Sequence, residues 1–599
     1  MSAGTMERLR QGLVLALVLL SVGALVSLAR RARLERADFV LDNGSEVSTL
    51  DPAAVSGQAD GRVAMALFEG LTVKDPATLE PLPGVAERWE LASDGLTWTF
   101  HLRAARWSNG DALGASDFLW SWRRLLEPET AAPYAYLLYC VRGAEAFAHA
   151  APAEREERWR AVGLSAPDER TLVVELARPT AHFLALTSFH PLFPVHRRSL
   201  EFFQARFPER WASEWTKPGH LVSNGPFKLR ERRVNDRLRL VKNPEYWDAD
   251  AVAFQTIDVL ALEHIGTGLN LYLAGDVDWI DRVPAALVPR LRLREDFQPA
   301  PYLATYFYRF NVTRAPYDDA RVRRALALAV DRRALCEKVV QKGEPPCWSL
   351  TPPGLAGYAR PEMRHAAVDD GTGNNSTGDD DAAYAAALAA DRAEARALLA
   401  AAGFSSAHPF PPLELSFNTS ETNRDIAEVI AADWKGALGI EVVLANQERK
   451  SQLDAQQHLR YDVSRSSWIG DYADPENFLA VFRGGGENNR TGWGNARYDA
   501  LLDSAADERD PARRLGLLAE AETLLLAELP ILPLYAYVSQ NLVNPRLGGF
   551  HANVQDEHPP KFWHWKSDAE LAAERAARGA PTDGAGARAR PAKHPEARK

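Results

Sequence analysis

Residues 423–447, NRDIAEVIAADWKGALGIEVVLANQ, decide the fold class of this chain. Apolar residues recur at helical spacing over residues 423–438, which predicts an amphipathic helix. The segment EVVLANQ, residues 441–447, follows directly and is predicted to be a strand. Because a helix that leads into a strand is typical of a βαβ unit, we predict an α/β fold with a partly parallel sheet.

The rest of residues 39–565 shows a similar mixture of short elements. Ser116 is predicted to cap a helix in which Phe118, Trp122 and Leu125 form one apolar stripe. This irregular alternation favours an α/β mixture over a helical bundle or a β-sandwich. Strands are predicted at residues 96–103, 171–176, 236–242 and 256–262, and further helices at residues 321–332 and 382–402.

The length of 599 residues exceeds what one hydrophobic core usually organises, so two or more lobes are expected. Residues 369–381, DDGTGNNSTGDDD, are polar, glycine-rich and acidic, and they are predicted to form a mobile insertion. Residues 566–599 are rich in Ala, Arg and Pro and are predicted to be a disordered tail.

The composition restricts the classes of partner. A formal net charge of -10 argues against nucleic acid, whose phosphates need a basic surface. The 16 Trp and 16 Tyr residues supply large amphipathic surfaces that favour contact with a ligand. Three cysteines exclude a disulfide framework, and the sequence is equally compatible with one bridge between Cys336 and Cys347 or with two unpaired buried thiols.

The amino-terminal region predicts location. Arg8 and Arg10 precede an uncharged apolar run at residues 12–29, GLVLALVLLSVGALVSLA. This run is long enough to span a bilayer and long for a cleaved signal, so a membrane anchor is favoured, and an export signal cleaved near Ala29 is the alternative. Either interpretation places the main body outside the cytoplasm, in the periplasm or an equivalent extracytoplasmic space.

The sequence contains none of the usual catalytic or cofactor-binding motifs, such as HExxH, GxSxG, the P-loop or GxGxxG. The fourteen His residues are scattered and lack the spacing of metal ligands. We therefore predict no catalytic residue, no cofactor and no metal site. A hydrolase with two carboxylates across a cleft is disfavoured, because the acids that stand out all come from one short segment.

That segment is residues 466–478, SSWIGDYADPENF, in which Asp471, Asp474 and Glu476 lie close together without a basic residue. Asp474 precedes a proline and is predicted to form an Asx-turn or a helix cap. Asp471 follows an extended apolar approach that carries it toward the interior, where a carboxylate without a partner is costly. Asp471 is therefore predicted to require a cation from elsewhere.

Many separate blocks of the chain resemble the periplasmic oligopeptide- and dipeptide-binding proteins of ABC importers. The resemblance covers about residues 38–565, and the blocks occur in the family's order. They are NGSEVSTLDP at residue 43, LFEGL at 67, PGVAERWE at 83, TWTFHLRAARWSNGDALGASDFLWSWRRLLEPETAAPYA at 97, SNGPFKL at 223, NPEYWD at 243, APYDDARVRRALALAVDR at 315 and SWIGDYADPENF at 467.

The resemblance implies a two-lobed periplasmic-binding-protein fold of type II with an extra domain and a hinge between the lobes. It implies a core of the first lobe in residues 38–68, 194–303 and 539–565. Residues 69–193 would form the extra domain and residues 304–538 the second lobe, with the anchor or signal in residues 1–37.

The resemblance also implies that a peptide is bound in extended form between lobes that close over it, pairing its main chain with both lobes. Asp471 matches the acid that binds the α-ammonium group of the peptide, and Arg465 matches a base that receives its carboxylate. The other positions implied are Ser467, Trp468 and Ile469 as one main-chain edge, Ser56, Gly57 and Gln58 as the opposing edge, and Tyr134 and Tyr537 as aromatic residues of the cleft. For Trp468, Tyr134 and Tyr537, plain core packing is the alternative.

The chain departs from the family pattern at three positions. Where members of the oligopeptide type often carry a Cys pair, this chain has Ala304 and Ile469. Where NQEW is typical, it has NQER, so Arg449 replaces an aromatic pocket wall. This exchange predicts a preference for acidic side chains or for a carboxyl terminus.

The resemblance thus predicts a monomeric binding protein, not an enzyme, that delivers peptides to an ABC permease and contacts the membrane through its amino-terminal segment. A membrane-tethered peptide sensor or chaperone is one alternative. A receptor of the same fold for a chelated metal, a haem or a glycan is another. An acid at position 471 favours a ligand with a free amine over these non-peptide ligands.

Overall fold

A computed structural model describes residues 36–363 and 378–577 of the chain. The predicted anchor or signal at residues 12–29 lies outside these residues. Within residues 36–363 and 378–577, no helix combines the length and apolar character needed to cross a membrane.

The fold is α/β, as predicted, with twenty strands in the described residues. These are β1 (Phe39–Asp42), β2 (Thr72–Lys74), β3 (Pro81–Pro83), β4 (Ala86–Leu91), β5 (Thr97–Leu102), β6 (Ala105–Arg106), β7 (Ala112–Leu113), β8 (Leu164–Asp168), β9 (Thr171–Glu175), β10 (Phe227–Arg233), β11 (Arg237–Lys242), β12 (Thr256–Leu260), β13 (Trp279–Ile280), β14 (Phe297–Phe310), β15 (Leu413–Asn418), β16 (Val442–Gln447), β17 (Val463–Ile469), β18 (Ile531–Val543), β19 (Leu547–Gly548) and β20 (His564–Trp565).

Helices connect these strands. The longer ones are Gln58–Leu67, Ala115–Leu126, Arg197–Arg206, Ile265–Ala274, Ala320–Leu328, Gly378–Ala401, Glu421–Leu438, Arg449–Gln457, Ala496–Asp507, Pro511–Glu528 and Asp568–Ala577. Shorter helices are Ala144–Ala148, Arg155–Arg160, Phe183–Leu186, Trp211–Glu214, Val288–Leu291, Arg332–Ala334 and Glu476–Leu479, and Leu335–Val340 is a π-helix.

A ten-stranded sheet runs through the molecule in the order β10-β11-β12-β1-β13-β18-β14-β17-β15-β16. The half built on β1 and β10–β13 is called the first lobe here, and the half built on β15–β17 the second lobe. The sheet is mixed, since β1 pairs in parallel with β12 and β13, whereas β14 is antiparallel to both β17 and β18.

The two long strands β14 and β18 belong to both lobes. Residues 297–301 of β14 pair with residues 538–542 of β18, and residues 305–309 pair with residues 531–536. The register shifts between Pro301 and Thr305, so the ladder is interrupted there. This break lies where the sequence predicts the first lobe to end, at residue 303.

The predicted βαβ unit is confirmed. The helix Glu421–Leu438 connects β15 to β16, and these two strands pair in parallel from Leu413 with Val442 to Asn418 with Gln447. Ile426, Ile430 and Trp434 of this helix are fully buried, because they form the apolar stripe that packs on the sheet.

The extra domain has its own sheet and core. Its four strands lie in the order β4-β5-β9-β8, and the helix Ala115–Leu126 buries Phe118 and Trp122 against them. The prediction that Ser116 caps this helix is wrong. Gly114 is the capping residue, and its N–H donates to Asp117 Oδ2 at 2.9 Å, so the helix begins at Ala115, two residues earlier than a cap at Ser116 would place it.

Three other predictions are corrected, and the alternative that the sequence left open for Cys336 and Cys347 is decided. The helix predicted for residues 321–332 ends at Leu328. Residues 378–381 of the predicted mobile insertion form the first turn of the helix Gly378–Ala401, and the insertion's residues 369–377 lie outside the described chain. The prediction of a disordered tail is wrong for residues 568–577, which form a helix whose Glu574 pairs with Lys566 at 2.7 Å, while the Lys566 N–H donates to the Arg546 carbonyl at 2.8 Å. Cys336 and Cys347 are both buried and unpaired, so no bridge joins them.

Candidate functional site

The segment after β17 forms a compact turn into the short helix Glu476–Leu479. Asp474 Oδ1 accepts a hydrogen bond from the Glu476 N–H at 2.9 Å, which confirms the predicted Asx-turn. The same carboxylate is also half of an ion pair. Arg514 donates to both of its oxygens, at 2.7 and 3.0 Å.

Glu476 shares this arginine. Arg514 donates to Glu476 Oε2 at 2.8 Å, and His182 of the extra domain lies 3.6 Å from the same oxygen. Burial alone would raise the pKa of Glu476, but His182 and Arg514 overcome that effect and lower the pKa to about 2. Asp474 and Glu476 therefore have their counter-charge inside the protein.

Asp471 lies on the same turn and forms no ion pair with any residue in the described part of the chain. Its Oδ2 accepts a hydrogen bond from the Tyr136 hydroxyl, which reaches it at 2.8 Å from the extra domain. Burial raises the pKa of Asp471 above its ordinary value, although hydrogen bonds from Tyr136, Asn477 and Tyr134 partly oppose this. Asp471 is a partly buried carboxylate whose partners among the described residues are all neutral.

A cavity of about 530 Å³ opens beside Asp471 between the extra domain and the second lobe. Two contacts between the lobes bound it, a stack of His182 on Tyr472 at 4.0 Å and the Tyr136 hydrogen bond. The lining includes Tyr136, Tyr139, Cys140 and His182 from the extra domain and Trp468, Asp471 and Asn477 from the second lobe.

Trp468 forms part of the wall of this cavity and also packs on the core of the second lobe. Its Nε1 donates to the Asn477 amide oxygen at 2.8 Å, and the Asp471 N–H donates to the same oxygen at 3.4 Å. Asn477 thus fixes the indole and the acidic turn together. Trp468 both packs on the core and lines the cavity.

One edge of β17 is open. β14 pairs with β17 from Val463 to Ile469, whereas β15, on the other side, pairs only with Val463 and Ser464. From Arg465 onward the second edge has no partner strand within the described residues. Ile469 is 56% exposed, which agrees with an uncovered edge.

The direction of the main-chain groups along this edge follows from two hydrogen bonds. The Val463 carbonyl faces β15, because Ser416 Oγ donates to it at 3.3 Å, and the Gly470 N–H faces β14, because it donates to the Leu303 carbonyl at 2.8 Å. Since residues alternate along a strand, Ser467 and Ile469 direct their N–H and C=O groups to the open edge.

Arg465 lies at the opposite end of β17 from Asp471 and also forms no ion pair with a described residue. Its guanidinium donates to the Tyr537 hydroxyl at 3.3 Å and to Asn418 Oδ1 at 3.4 Å, and it lies 4.7 Å from the centre of the Tyr306 ring. Arg449, at the start of the helix Arg449–Gln457, lies near both Arg465 and Tyr537. The structure thus brings together three of the predicted residues at a basic end.

Tyr134 lies at the acidic end. It packs edge-on against Phe189 of the extra-domain core at 5.3 Å, and its hydroxyl faces Asp471. Burial, with the nearby negative charge of Asp471, raises the pKa of Tyr134 to about 12. Tyr134 therefore combines core packing with contact to the candidate site.

The predicted opposing edge lies at the start of a helix. Gln58 is the first residue of the helix Gln58–Leu67, and the Gly57 carbonyl accepts from the Gly61 N–H at 2.9 Å, so that carbonyl is committed to the helix, whereas the first N–H groups of a helix have no acceptor within it. Ser56, Gly57 and Gln58 are all exposed, and the Gln58 side chain donates to Asp556 at 3.4 Å.

The two positions that depart from the family's Cys pair are neighbours in space. Ala304 of β14 lies directly opposite Ile469 of β17 in the ladder. Because the Ile469 main chain faces the open edge, this is a non-hydrogen-bonded pair, in which side chains approach most closely.

Several residues of the site had no signal in the sequence. Arg514 is 40 residues from Asp474, and Tyr136 is 335 residues from Asp471. Asn477 lies within the quoted acidic segment, so its amide was the one of these that the sequence could have flagged. Within residues 36–363 and 378–577, no group of three or more His, Cys, Asp or Glu side chains is arranged to hold a metal ion.

Comparisons with known proteins support one family. The model of bacterial extracellular solute-binding proteins, family 5 middle, matches residues 80–490. The periplasmic oligopeptide-binding protein OppA of Salmonella typhimurium is 34% identical over 547 residues, which cover 90% of this chain and 94% of that protein. The probable deoxycholate-binding periplasmic protein YgiS of Escherichia coli is 34% identical over 523 residues, which cover 86% and 91%.

A solved structure agrees with these relatives. The unliganded open form of MppA, a periplasmic murein tripeptide-binding protein, matches with a TM-score of 0.73 and 32% identity, covering 90% of this chain and 99% of that one. The family and the two-lobed fold implied by the sequence blocks are thereby confirmed. The chain belongs to the family 5 bacterial extracellular solute-binding proteins, a family of binding proteins and not of enzymes.

Proposed function

We propose that this protein is an extracytoplasmic receptor that binds peptides in extended form between its two lobes and delivers them to the permease of an ABC importer. The observation that carries the proposal is Asp471, a partly buried carboxylate without a cation, placed at the end of an open strand edge. A peptide offers both things this arrangement lacks, a terminal ammonium group and a main chain able to pair with a strand.

The energetics favour coupling between ligand entry and closure. A carboxylate enclosed without a counter-ion costs several kcal/mol, roughly 3–5 when the partner of a buried pair is removed. An α-ammonium group at Asp471 supplies that partner. Tyr136, which reaches Asp471 from the extra domain, would hold the lobes together around the pair.

The open edge of β17 supplies binding that does not depend on peptide sequence. Ser467 and Ile469 offer N–H and C=O groups to an added strand, and every peptide has the complementary groups. The cavity beside Asp471, about 530 Å³ in volume, would take the first side chain together with water. Arg465 and Tyr537 would receive the carboxylate end.

The proposal includes the setting in which the protein acts. We infer a monomer held near the membrane by residues 12–29 as an anchor, or released after cleavage of the same segment as a signal. The break in the β14–β18 ladder between Pro301 and Thr305 is the proposed hinge. The relatives' names support peptides as the ligand class, with OppA binding oligopeptides and MppA a murein tripeptide.

The decisive experiment is the variant Asp471→Asn, which keeps the shape of the side chain and removes its charge. Affinity for peptides with a free amine should fall by roughly 2 kcal/mol or more, about thirtyfold, because one partner of a buried charge pair is lost. N-acetylated forms of the same peptides should bind the variant and the parent protein almost equally. Isothermal titration calorimetry measures both.

Two controls make the result specific. Asp503→Asn removes a carboxylate that is 60% exposed and paired with Arg483 on the surface of the second lobe, so it should change no affinity. The printed name of the relative YgiS gives deoxycholate as its ligand. Because deoxycholate has no amine, any affinity for it should be the same in the parent protein and in Asp471→Asn. Equal losses for free and acetylated peptides in Asp471→Asn would refute the proposal.

A further inference from the structure

Three arginines surround the basic end of β17 and are held there by main-chain contacts. Gln452 and Gln456, one and two turns into the helix that begins with Arg449, donate to the Arg465 carbonyl at 3.0 and 2.9 Å. This locks the start of that helix against the strand. The Tyr461 hydroxyl, two residues before β17, donates to the Arg490 carbonyl.

These arginines have no acidic partner. Within residues 36–363 and 378–577, none of Arg449, Arg465 and Arg490 forms an ion pair with Asp or Glu. The Nε atoms of Arg465 and Arg490 are buried and have no hydrogen-bond partner. The pKa of Arg449 is lowered, first by burial and then by the positive charges of Arg465 and Arg490, in agreement with the hydrogen bonds that hold all three residues at this end of β17.

A fourth guanidinium lies behind them. Arg309 is buried in β14, and it donates to Ser466 Oγ and to the Asn488 carbonyl, each at 3.0 Å, without an ion pair to a described acid. Burial lowers the pKa of Arg309 to about 10, and Arg490 contributes in the same direction. The field at this end of the cleft is therefore positive from four side chains.

The acids nearby are committed elsewhere. Glu448 accepts from the Lys450 and Ser451 N–H groups and caps its own helix. Asp462 lies 2.8 Å from Arg314, and Asp454 pairs with Arg460. In the part of the chain that the structure describes, no acid pairs with Arg449, Arg465 or Arg490, and one terminal carboxylate of a ligand would neutralise only one of them.

The strand edge determines which part of a ligand reaches these arginines. Gln452 and Gln456 occupy the edge at the Arg465 carbonyl, so an added strand can pair with Ser467 and Ile469 but cannot continue past Arg465. With the ammonium group at Asp471, the ligand chain runs toward Arg465 and ends there. Asp471 lies six residue steps beyond Arg465, which corresponds to about 20 Å at 3.3 Å per residue.

We propose that Arg449, Arg465 and Arg490 form a subsite for a second carboxylate, so that the protein prefers short peptides with an acidic residue at or next to the carboxyl terminus. This inference rests on the proposed peptide-binding function and deepens it. Arg465 receives the terminal carboxylate, while Arg449 and Arg490 bind the acidic side chain. Guanidinium groups suit this role because they bind carboxylates through two parallel N–H donors.

The test compares peptide pairs that differ only in charge. Alanine peptides of three, four and five residues that end in Glu are titrated beside the same peptides ending in Gln. Glu-terminated peptides should bind at least about tenfold more tightly, in line with the strength of charged hydrogen bonds. Arg449→Gln and Arg490→Gln should each remove most of that difference, because they should weaken the binding of Glu-terminated peptides far more than that of Gln-terminated ones.

Arg460→Gln is the matched control. It removes a guanidinium that is 61% exposed and pairs with Asp454 in the same lobe, so the ratio of Glu to Gln affinity should stay at the parent value. Raising the salt concentration should lower the ratio in the parent protein and not in Arg449→Gln.

The outcomes separate the two claims. If neutral peptides bind in an Asp471-dependent way but Glu and Gln peptides bind equally, the subsite is refuted and the peptide receptor stands. If a preference for Glu persists in both arginine variants, the subsite is likewise refuted. If neither kind of peptide binds and Asp471→Asn changes nothing, the proposed function itself is wrong.

Discussion

Asp471 differs from Asp474 and Glu476 in how the protein treats its charge, although all three lie on one short turn. Arg514 lies within 3.0 Å of both Asp474 and Glu476, while the hydrogen-bond partners of Asp471 in the described chain are all neutral. Acids on one turn can therefore have different roles, one structural and the other in binding. Removing the cation of a neutralised pair destabilises the fold, whereas a charge left without a cation at a cleft is available to a ligand.

The largest expected effect is on stability and concerns Asp474 and Glu476, the two acids that pair with Arg514. Arg514→Met should reduce the free energy of unfolding by about 3–5 kcal/mol, because two partly buried carboxylates lose their common cation. The Arg514 side chain is 6% exposed, and those of Asp474 and Glu476 are 14% and 17% exposed, so screening by water is limited. Chemical denaturation followed by tryptophan fluorescence measures the loss.

The neighbouring arginine provides the control for Arg514. Arg513 has a side chain that is 77% exposed and pairs with Glu508 at the surface. Arg513→Met should change stability by no more than about 0.5 kcal/mol. Similar losses in the two variants would mean that the contrast between the neutralised and the free acids has no energetic basis.

The second prediction uses pH to compare the two kinds of acid. The raised pKa of Asp471 means that the ligand-free protein binds its proton more tightly than an unfolded chain does, whereas an ammonium ligand requires the ionised form. Peptide affinity should thus be full above the pKa of Asp471 and fall about tenfold per pH unit below it. The fall begins above the ordinary carboxyl value of 3.8.

Asp471→Asn is the reference for this experiment, since the peptide's own carboxylate also titrates in acid. The ratio of parent to variant affinity isolates Asp471, and a constant ratio between neutral pH and pH 4 would contradict the prediction. The pKa of Glu476 is shifted in the opposite direction, and it affects the stability of the fold instead of the peptide affinity. Its pKa of about 2 lies below the ordinary 4.5, so its stabilising pair is present above 4.5 and is lost as the pH falls toward 2.

Local patterns in the sequence predicted the elements that carry these residues. The helix and strand of residues 423–447 follow from apolar spacing, and the parallel pairing of β15 and β16 agrees. The Asx-turn at Asp474 depends on a neighbour two residues away, so it too was predictable. The cap of the helix Ala115–Leu126 was misplaced by two residues, because Asp117 reaches back to Gly114 instead of Ser116 acting as the cap.

Local patterns in the sequence could not predict which charged residues form pairs. Nothing around Asp474 in the sequence indicates Arg514, and nothing around Asp471 indicates Tyr136 in another domain, because both contacts are made only by the tertiary fold. The same holds for Arg490, which a hydrogen bond from Tyr461 brings beside the predicted Arg449 and Arg465. The sequence could predict that Asp471 needs a cation, and only the fold shows that Asp474 does not.

The smallest effect sharpens the comparison at Asp471 itself. Tyr136→Phe removes the hydroxyl that donates to the carboxylate at 2.8 Å and lowers its pKa. A hydrogen bond to an ionised carboxylate contributes about 1.5–3 kcal/mol, and water can replace part of it at this half-exposed position, so the acid limb of peptide affinity should move to higher pH by about one unit. Affinity at neutral pH should change little, since a carboxylate can accept an ammonium group and a hydroxyl together.

Tyr139→Phe, which alters the same cavity wall without a bond to Asp471, should leave the pH profile in place. A shift toward lower pH in Tyr136→Phe would show that the hydroxyl opposes ionisation, and the neutral partners of Asp471 would then not be what keeps it ready for a cation.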